Sequence, residues 1–421
     1  MKIFRDPIHN VIDLSVGNES LDKLITQLID TPEFQRLRFI KQLGLSYISY
    51  PSANHSRFEH SLGVAFLAKR FMHKIRSLEK EVLSHYAHTS HVATLTRFFD
   101  NSQTMTHQVM IAGLLHDIGH GPLSHVLEEI SGIHHEDMTK AIILGESHIN
   151  RALVDYDPEL PGQISYLLFA KKEKSEQLTI DDTLPTSPYT KLITGQMDID
   201  KMDYLLRDSH FTGTGYGRFD LEWLLNVLTV GIVHGRPEIG LDLGKGLSVA
   251  EDFITARMYM FSNVYLHKTT QISQEMLKLL FRRVTELPEV LTPFAALASV
   301  VLGHGHDTTL AEYLSLTDID LFYFLKTLTQ HVDPVLRDIA TALLNRQLYK
   351  QVESLPVGTA PYDFIHLNPR QKKYYLSTQH HPVYLFDKYL NHYTVEQKSL
   401  VAFNHQRLEL PTGLFVREST S

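Results

Sequence analysis

Ile111-Ala112-Gly113-Leu114-Leu115-His116-Asp117-Ile118-Gly119-His120-Gly121-Pro122-Leu123-Ser124-His125 is an apolar run at helical spacing that ends in a His116-Asp117 pair. It then breaks at two glycines and a proline and resumes in a second helix carrying His125. Neighbouring side chains on a helix diverge by about 100°, so His116 and Asp117 share one ion only if it lies in the wedge between them. Other parts of the chain must then supply the remaining ligands. Imidazole plus carboxylate suits a first-row divalent metal. The competing reading, a helix end rich in capping and solvated histidines, does not explain the buried apolar approach or the glycine-lined exit.

The composition around that stretch narrows the classes. A chain of 421 residues with 43% hydrophobic content is long enough for one large core or two domains and reads as a soluble globular protein. No apolar run reaches the roughly 18 to 20 residues of a membrane helix, and Met1-Lys2-Ile3-Phe4-Arg5-Asp6 does not read as a signal peptide. A cytoplasmic location without membrane contact is the expectation. The absence of cysteine excludes disulfides, thiolate zinc sites and cysteine nucleophiles, so any metal is held by nitrogen and oxygen, and 25 histidines supply the nitrogen. With 40 Lys and Arg against 48 Asp and Glu, the net charge of -8 argues against a general nucleic-acid coat. An anionic substrate needs a local cluster of positive charge.

Working outward, two short alternating runs around Pro7-Ile8-His9-Asn10 predict a small N-terminal hairpin. Thr31-Pro32 starts a helix in which Gln35 and Arg38 fall on one side, by spacing an ordinary solvated face. His60 opens a long apolar helix, as a polar cap or as a ligand once a partner site is in view. Residues 77–108 read as a polar, histidine-rich peripheral insertion. Glu128, three residues past His125, can orient that imidazole or be an ordinary surface glutamate. His135 stands at a helix start, where it meets an anion or simply caps. Phe169 to Thr186 reads as an exposed loop.

A helix from Asp198 stacks Asp200, Tyr204 and Asp208 on one face with Lys201 beside them. Like charges so placed need something positive opposite, and a solvated acidic stripe conflicts with the neighbouring Met202, Leu205 and Leu206. Gly213-Thr214-Gly215-Tyr216-Gly217 reads as a connector, since no strand precedes it as a phosphate loop requires. Leu228 to Leu243 reads as a second hairpin. Ser248 to Leu280 reads as one long helix with Arg257, Phe261, Tyr265 and Lys268 on a common face, suited to a base, a sugar and phosphates, or else a snorkelling basic edge. From Glu286 onward the chain reads as mainly helical, with a looser, aromatic-rich region from Pro356 to Pro382. No chemistry is visible there, and scaffold or oligomer surface is the expectation.

Taken together, His60, His116-Asp117 and Asp200 resemble the ligand set of the HD superfamily of metal-dependent phosphohydrolases. Asp6-Pro7-Ile8-His9, Asp30-Thr31-Pro32, Phe34-Gln35-Arg36-Leu37-Arg38, Gln42-Leu43-Gly44, Arg57-Phe58-Glu59-His60-Ser61-Leu62-Gly63-Val64, His116-Asp117-Ile118-Gly119-His120-Gly121-Pro122 and Asp198-Ile199-Asp200-Lys201 narrow it. They resemble the deoxynucleoside triphosphate triphosphohydrolases, both the bacterial enzymes and the vertebrate enzyme that adds a sterile alpha motif, which is not seen here. The resemblance implies a mainly α fold: an HD-type helical catalytic domain over 1–285 with small β-hairpins at the N-terminus and near 228–243, followed by a helical region over 286–421.

It also implies roles. His60, His116, Asp117 and Asp200 hold one divalent ion, with iron, manganese, magnesium, zinc and nickel all compatible. His125, oriented by Glu128, is the general acid or base, and His120 and His135 touch the phosphates. Arg57, Lys201 and Arg257 neutralise the triphosphate, and Gln42, Leu43, Asp208 and Tyr265 enclose the sugar with Tyr204 nearby. Lys2, Asp30, Gln35 and Arg38 match a regulatory guanine-nucleotide site, which revises the solvated-face reading. For a second regulatory nucleotide His267 and Lys268 match, while Val249, Phe261 and Asn263 depart from the vertebrate pattern. The implied partners are a nucleotide substrate, a GTP or dNTP effector and further copies of the chain, as dimer or tetramer. An HD enzyme for another ester (a nucleoside monophosphate, a cyclic nucleotide or an alarmone) is the alternative function. A single-stranded nucleic-acid sensor with a vestigial site is the reading from a different class.

Overall fold

The N-terminal hairpin forms as expected: β1 (Ile3–Asp6) pairs antiparallel with β2 (Asn10–Asp13). Asp6 Oδ1 closes its turn by accepting from the N–H groups of Ile8 and His9 at 2.9 and 2.8 Å. The structure, a computed structural model, describes residues 2–173, 187–303, 308–352, 376–379, 382–394, 399–409 and 413–416. The loop expected up to Thr186 lies from 174 onward outside the described residues, as does most of Pro356–Pro382.

Among the described residues twelve α-helices follow before the second hairpin: α1 (Glu19–Asp30), α2 (Pro32–Arg36), α3 (Arg57–Ser77), α4 (Glu79–His85), α5 (Val92–Leu115), α6 (His125–Ser131), α7 (His135–Leu144), α8 (His148–Tyr156), α9 (Leu160–Glu173), α10 (Lys191–Thr194), α11 (Ile199–Thr212) and α12 (Leu221–Asn226). Thr31 caps α2 by accepting from Phe34 N–H, with Pro32 at its first position. The centre is α3, which packs on α5 and α11. Phe58, Leu62, Val64, Leu67, Phe71, Met72 and Ile75 are all buried, at about 1.5–3 kcal/mol for each large side chain. α5 is longer than expected. Residues 92–108 are no peripheral insertion but its first turns, since Leu95, Phe98, Phe99 and Val109 form a buried stripe among the polar residues.

β3 (Leu228–Val233) and β4 (Arg236–Leu241) form the second hairpin, so up to Leu241 the described residues are mainly α with two small two-stranded sheets. α13 (Leu243–Met260) and α14 (Lys268–Thr285) then depart from the expected single helix. Between them Phe261–Tyr265 makes a π turn. Ser262 Oγ donates to Met258 O at 2.7 Å and Asn263 Nδ2 to Tyr259 O at 2.9 Å, so side chains compete for carbonyls that the α ladder would use. His267 then caps the new helix, its ring accepting from Thr269 N–H.

α15 (Ala295–Leu302), α16 (Leu310–Ser315), α17 (Asp318–Leu328) and α18 (Pro334–Leu344) follow, and the last helix ends at Leu344. From there the structure corrects the expectation. β5 (Lys350–Val352), β6 (Leu376–Gln379) and β9 (Gly413–Val416) form one antiparallel sheet, and β7 (Pro382–Thr394) pairs with β8 (Ser399–Glu409). Runs such as Val383-Tyr384-Leu385-Phe386 and Leu400-Val401 are β-branched and aromatic, and favour strand over helix. Nor does the chain divide cleanly at 285. One buried cluster joins Leu45, Ile48, Leu123, Val126 and Leu127 to Met276, Leu280, Phe281, Phe324 and Leu336. Among the described residues no helix is long and apolar enough to cross a membrane.

Candidate active site

Three helices bring four ligand-type side chains to one point. Ser56 and Glu59 form a reciprocal capping box at the start of α3, which fixes His60 in its first turn with the side chain 0% exposed. The end of α5 delivers His116 and Asp117. Asp198 caps α11 and so places Asp200. His60 Nε2 lies 3.1 Å from Asp200 Oδ1 and 3.7 Å from Asp117 Oδ2. His116 Nε2 lies 3.5 Å from Asp117 Oδ1 and 3.4 Å from Asp200 Oδ1. The other ring nitrogens are already engaged: His116 Nδ1 donates to Gly113 O and His60 Nδ1 to Asp203 Oδ2, both at 2.8 Å. Both Nε2 atoms therefore face the carboxylates. That of His116 is buried with no hydrogen-bond partner among the described residues, and a buried nitrogen so placed costs on the order of 1–3 kcal/mol. Two imidazoles and two carboxylates, with an orphaned nitrogen among them, fit a divalent first-row ion. Burial alone would lower the His60 pKa, but hydrogen bonds to Asp200 and Asp203 outweigh it and raise it to about 10.

Behind His60 stands a charge network that the sequence patterns did not reveal. Asp203 accepts from His60, from His9 Nε2 at 2.6 Å and from Arg207 Nε at 2.8 Å, and Arg207 Nη1 reaches Asp6 at 2.7 Å. Asp203 and Arg207 are fully buried. Burial would raise the Asp203 pKa, yet Arg207 and the two imidazoles hold it well below the usual carboxylate range. Gly63 makes room: a Cβ there would lie 1.9 Å from Asp203 Oδ1. The available signal was an Asp-Arg pair at i, i+4 among apolar neighbours, adjoining the stripe of Asp200, Tyr204 and Asp208.

A second group of imidazoles adjoins the first. Glu128 Oε2 accepts from His125 Nδ1 at 3.1 Å and from His135 Nδ1 at 3.0 Å, while Oε1 accepts from His134 Nδ1 at 2.8 Å. Burial would raise the Glu128 pKa, and the three imidazoles lower it. His120 stacks on His135 with ring centroids 3.8 Å apart and meets His125 edge-on at 5.3 Å. Its Nε2 lies 3.3 Å from Asp117 Oδ1, which links the two groups. Burial and Arg57 push the His120 pKa well down. His125 is 69% exposed at its side chain, free to meet a ligand. Arg57 pairs with Asp117 and donates to Ser124 Oγ at 3.0 and 2.9 Å. His134 and Ser124 were not among the expected residues.

Farther along α11, Asp208 accepts from His55 Nε2 and from the Tyr265 hydroxyl, both at 2.8 Å. The His55 ring stacks on Phe211. The Tyr204 ring lies 6.1 Å from Tyr265 and 6.5 Å from His60. Burial raises both phenol pKa values and keeps the hydroxyls protonated. Gln42 Oε1 is buried with no partner among the described residues, and Leu43 packs against the core. The charge of Arg257 acts on Tyr204. Lys201 folds back onto Asp198 and the Gly195 carbonyl.

Of the residues expected at a regulatory site, Lys2 pairs with Asp30. Gln35 Nε2 donates to Ile29 O at 2.7 Å, and Arg38 donates to Gln35 at 2.8 Å while its guanidinium covers the Phe58 ring. A surface cavity of about 900 Å³ lies beside them, lined in part by Asp22, Lys23, Asp30, Thr31 and His148. His267 and Lys268 instead open α14, where His267 packs edge-on against Tyr50.

Residues 57–208 match the HD domain and residues 238–375 the HD associated region. The chain is 33% identical over 357 residues to the Bacillus subtilis protein YwfO, covering 84% of this chain and 72% of that one. It is 28% identical over 306 residues to the deoxynucleoside triphosphate triphosphohydrolase SAMHD1 of Xenopus laevis, covering 66% of this chain but 44% of that protein. The Dictyostelium discoideum SAMHD1 homolog is 34% identical over 221 residues, 50% of this chain and 37% of its own. The crystal structure of a phosphohydrolase from Bacteroides thetaiotaomicron matches with a TM-score of 0.73 over 99% of this chain and 100% of that one. At 24% identity it shares the fold.

Proposed function

We propose, for a chain that belongs to the HD-domain phosphohydrolases, the hydrolysis of deoxynucleoside triphosphates to a deoxynucleoside and intact triphosphate. The observation that carries this is the juxtaposition of a His60–His116–Asp117–Asp200 centre with an imidazole group gathered on Glu128, linked where His120 Nε2 lies 3.3 Å from Asp117 Oδ1. Similarity to enzymes named as deoxynucleoside triphosphate triphosphohydrolases supports the substrate class.

A triphosphate brings about four negative charges to carboxylates, so fixed cations must outweigh the repulsion. When bound, a divalent ion (iron, manganese, magnesium, zinc or nickel) supplies Lewis-acid charge at the α-phosphate and favours ionisation of the attacking water. Arg57, braced by Ser124, adds a fixed positive charge beside the phosphates. Glu128 holds the Nδ1 of His125, leaving Nε2 to protonate the nucleoside 5′-oxygen as the bond to the α-phosphorus breaks. His120 and His135 line the phosphate path, with Lys201 and Arg257 contributing charge. Asp208, tied to Tyr265, faces the sugar with Gln42 and Leu43, and the Tyr265 ring fills the space of a 2′-hydroxyl. Lys2, Asp30, Gln35 and Arg38, with His267 and Lys268 from another copy, would take an activating nucleotide in a dimer or tetramer.

Product analysis by chromatography tests this. Metal-reconstituted protein receives each dNTP with and without GTP, beside an Asp200→Ala variant. The expected products are deoxynucleoside and triphosphate from the unmutated protein alone, and a GTP requirement would support the regulatory site. Turnover only of a monophosphate, a cyclic nucleotide or an alarmone would replace the substrate class.

A further inference from the structure

His120 lies within, and His125 directly follows, a tight loop between α5 and α6 whose backbone the local sequence does not favour. Leu123 and Ser124 both take left-handed φ values, 51° and 54°, which residues with a Cβ adopt only under strain. Such a conformation persists only where its surroundings over-determine it. Much of what surrounds this loop comes from about 190 residues later in the chain, in a region where the sequence shows no chemistry.

Asp318, at the start of α17 and 4% exposed, accepts from Leu123 N–H through Oδ1 at 2.8 Å and from Lys41 N–H through Oδ2 at 2.9 Å. Tyr313, buried on α16, donates its hydroxyl to Gly119 O at 2.8 Å. Arg36 bridges the same two parts, donating to His120 O at 2.8 Å and Leu316 O at 2.9 Å. The fit is close, for a Cβ on Gly121 would stand 2.8 Å from the Tyr313 hydroxyl. A carboxylate is the side chain for this task, since both its oxygens accept and neither donates.

We propose that Asp318 and Tyr313 are positioning residues for the hydrolysis, locking the Gly119–Ser124 loop so that His120 and His125 stand at a fixed place relative to Asp117. Through Lys41 N–H, Asp318 also fixes the backbone next to Gln42 and Leu43. The helices after residue 286 therefore complete the active site instead of serving as scaffold. The catalytic part of this inference rests on the phosphohydrolase reading above; the loop clamp does not.

The test compares Asp318→Asn and Tyr313→Phe with Asp333→Asn in the full chain loaded with manganese. Asp333 caps α18 and pairs with Arg283, so its variant weakens the same region without touching the loop. Hydrolysis, bound manganese per chain and amide exchange over residues 118–126 are measured together. The expected result for Asp318→Asn and Tyr313→Phe is kcat lower by about 10- to 100-fold with KM little changed, faster loop exchange and undiminished manganese. Asp333→Asn should show none of these. Unchanged loop exchange, manganese loss in step with kcat, or an equal kcat loss in Asp333→Asn would overturn the inference. If the unmutated protein cleaves no phosphate ester, the phosphohydrolase reading fails, while loop exchange in the variants still upholds or overturns the clamp.

Discussion

Asp203 holds His60 by its far nitrogen, and replacing it tests how much the centre depends on a residue that touches no ligand. Partners of this kind typically carry a 10- to 100-fold share of metal affinity, so Asp203→Asn should weaken metal binding by about that factor in competition with a chromophoric chelator. Affinity equal to that of the unmutated protein would show that packing alone orients His60. The same change leaves the buried Arg207 with Asp6 as its remaining carboxylate, and breaking a buried pair costs about 3–5 kcal/mol; urea unfolding should show a loss of that order. Tyr265→Ala should let ribonucleotides compete as substrates, read as the ratio of kcat/KM for dGTP and GTP; an unchanged ratio would place the discrimination elsewhere. Asp200 and Asp208 were legible because spacing along one helix shows what shares a face, and His116 and Asp117 because a ligand-type pair closes a buried apolar run. Asp203, Arg207 and His9 were not, because their partners are about 140 to 200 residues away and nothing local distinguishes a buried charge from a solvated one.

Elements were read best where a single period runs unbroken. The two hairpins and the helices carrying His60, His116 and Asp200 follow from alternation, capping residues and apolar stripes. The helix over 248–280 was misjudged because its apolar period continues through Phe261–Tyr265 while Ser262 and Asn263 take carbonyls from the ladder. That π turn sets where Tyr265 points. Replacing Ser262 and Asn263 together with alanine should restore α periodicity and, with the residue count unchanged, swing Tyr265 by about 100°, away from Asp208. Hydrolysis of dNTPs should then fall to background while manganese binding stays at the level of the unmutated protein. Retained hydrolysis would mean that the turn has no part in placing Tyr265. The strands after Lys350 were missed for a different reason: aromatic residues in a loosely patterned region suit a helix-packing surface as readily as a sheet.

At the scale of the whole molecule, the sequence suggested a catalytic unit ending near residue 285, because motifs stop there. Packing does not stop there. A chain cut after Thr285 would expose Leu45, Ile48, Leu123, Val126 and Leu127, which pack against the later helices, and exposed apolar patches of that kind drive association. It should elute as aggregate in size-exclusion chromatography; a stable monomer would contradict the shared core. Removing the ion should also cost stability: at about 100-fold excess over Kd a ligand contributes roughly 2.7 kcal/mol, so a chelator should lower Tm and added manganese restore it. The clamp on the Gly119–Ser124 loop has one more consequence, for the order of synthesis. A ribosome releases His60, His116, Asp117 and Asp200 well before Tyr313 and Asp318 emerge. A nascent chain can therefore gather its metal-binding groups while the histidines that would act on a phosphate are still unplaced, and hydrolytic competence arrives only after Asp318 has emerged.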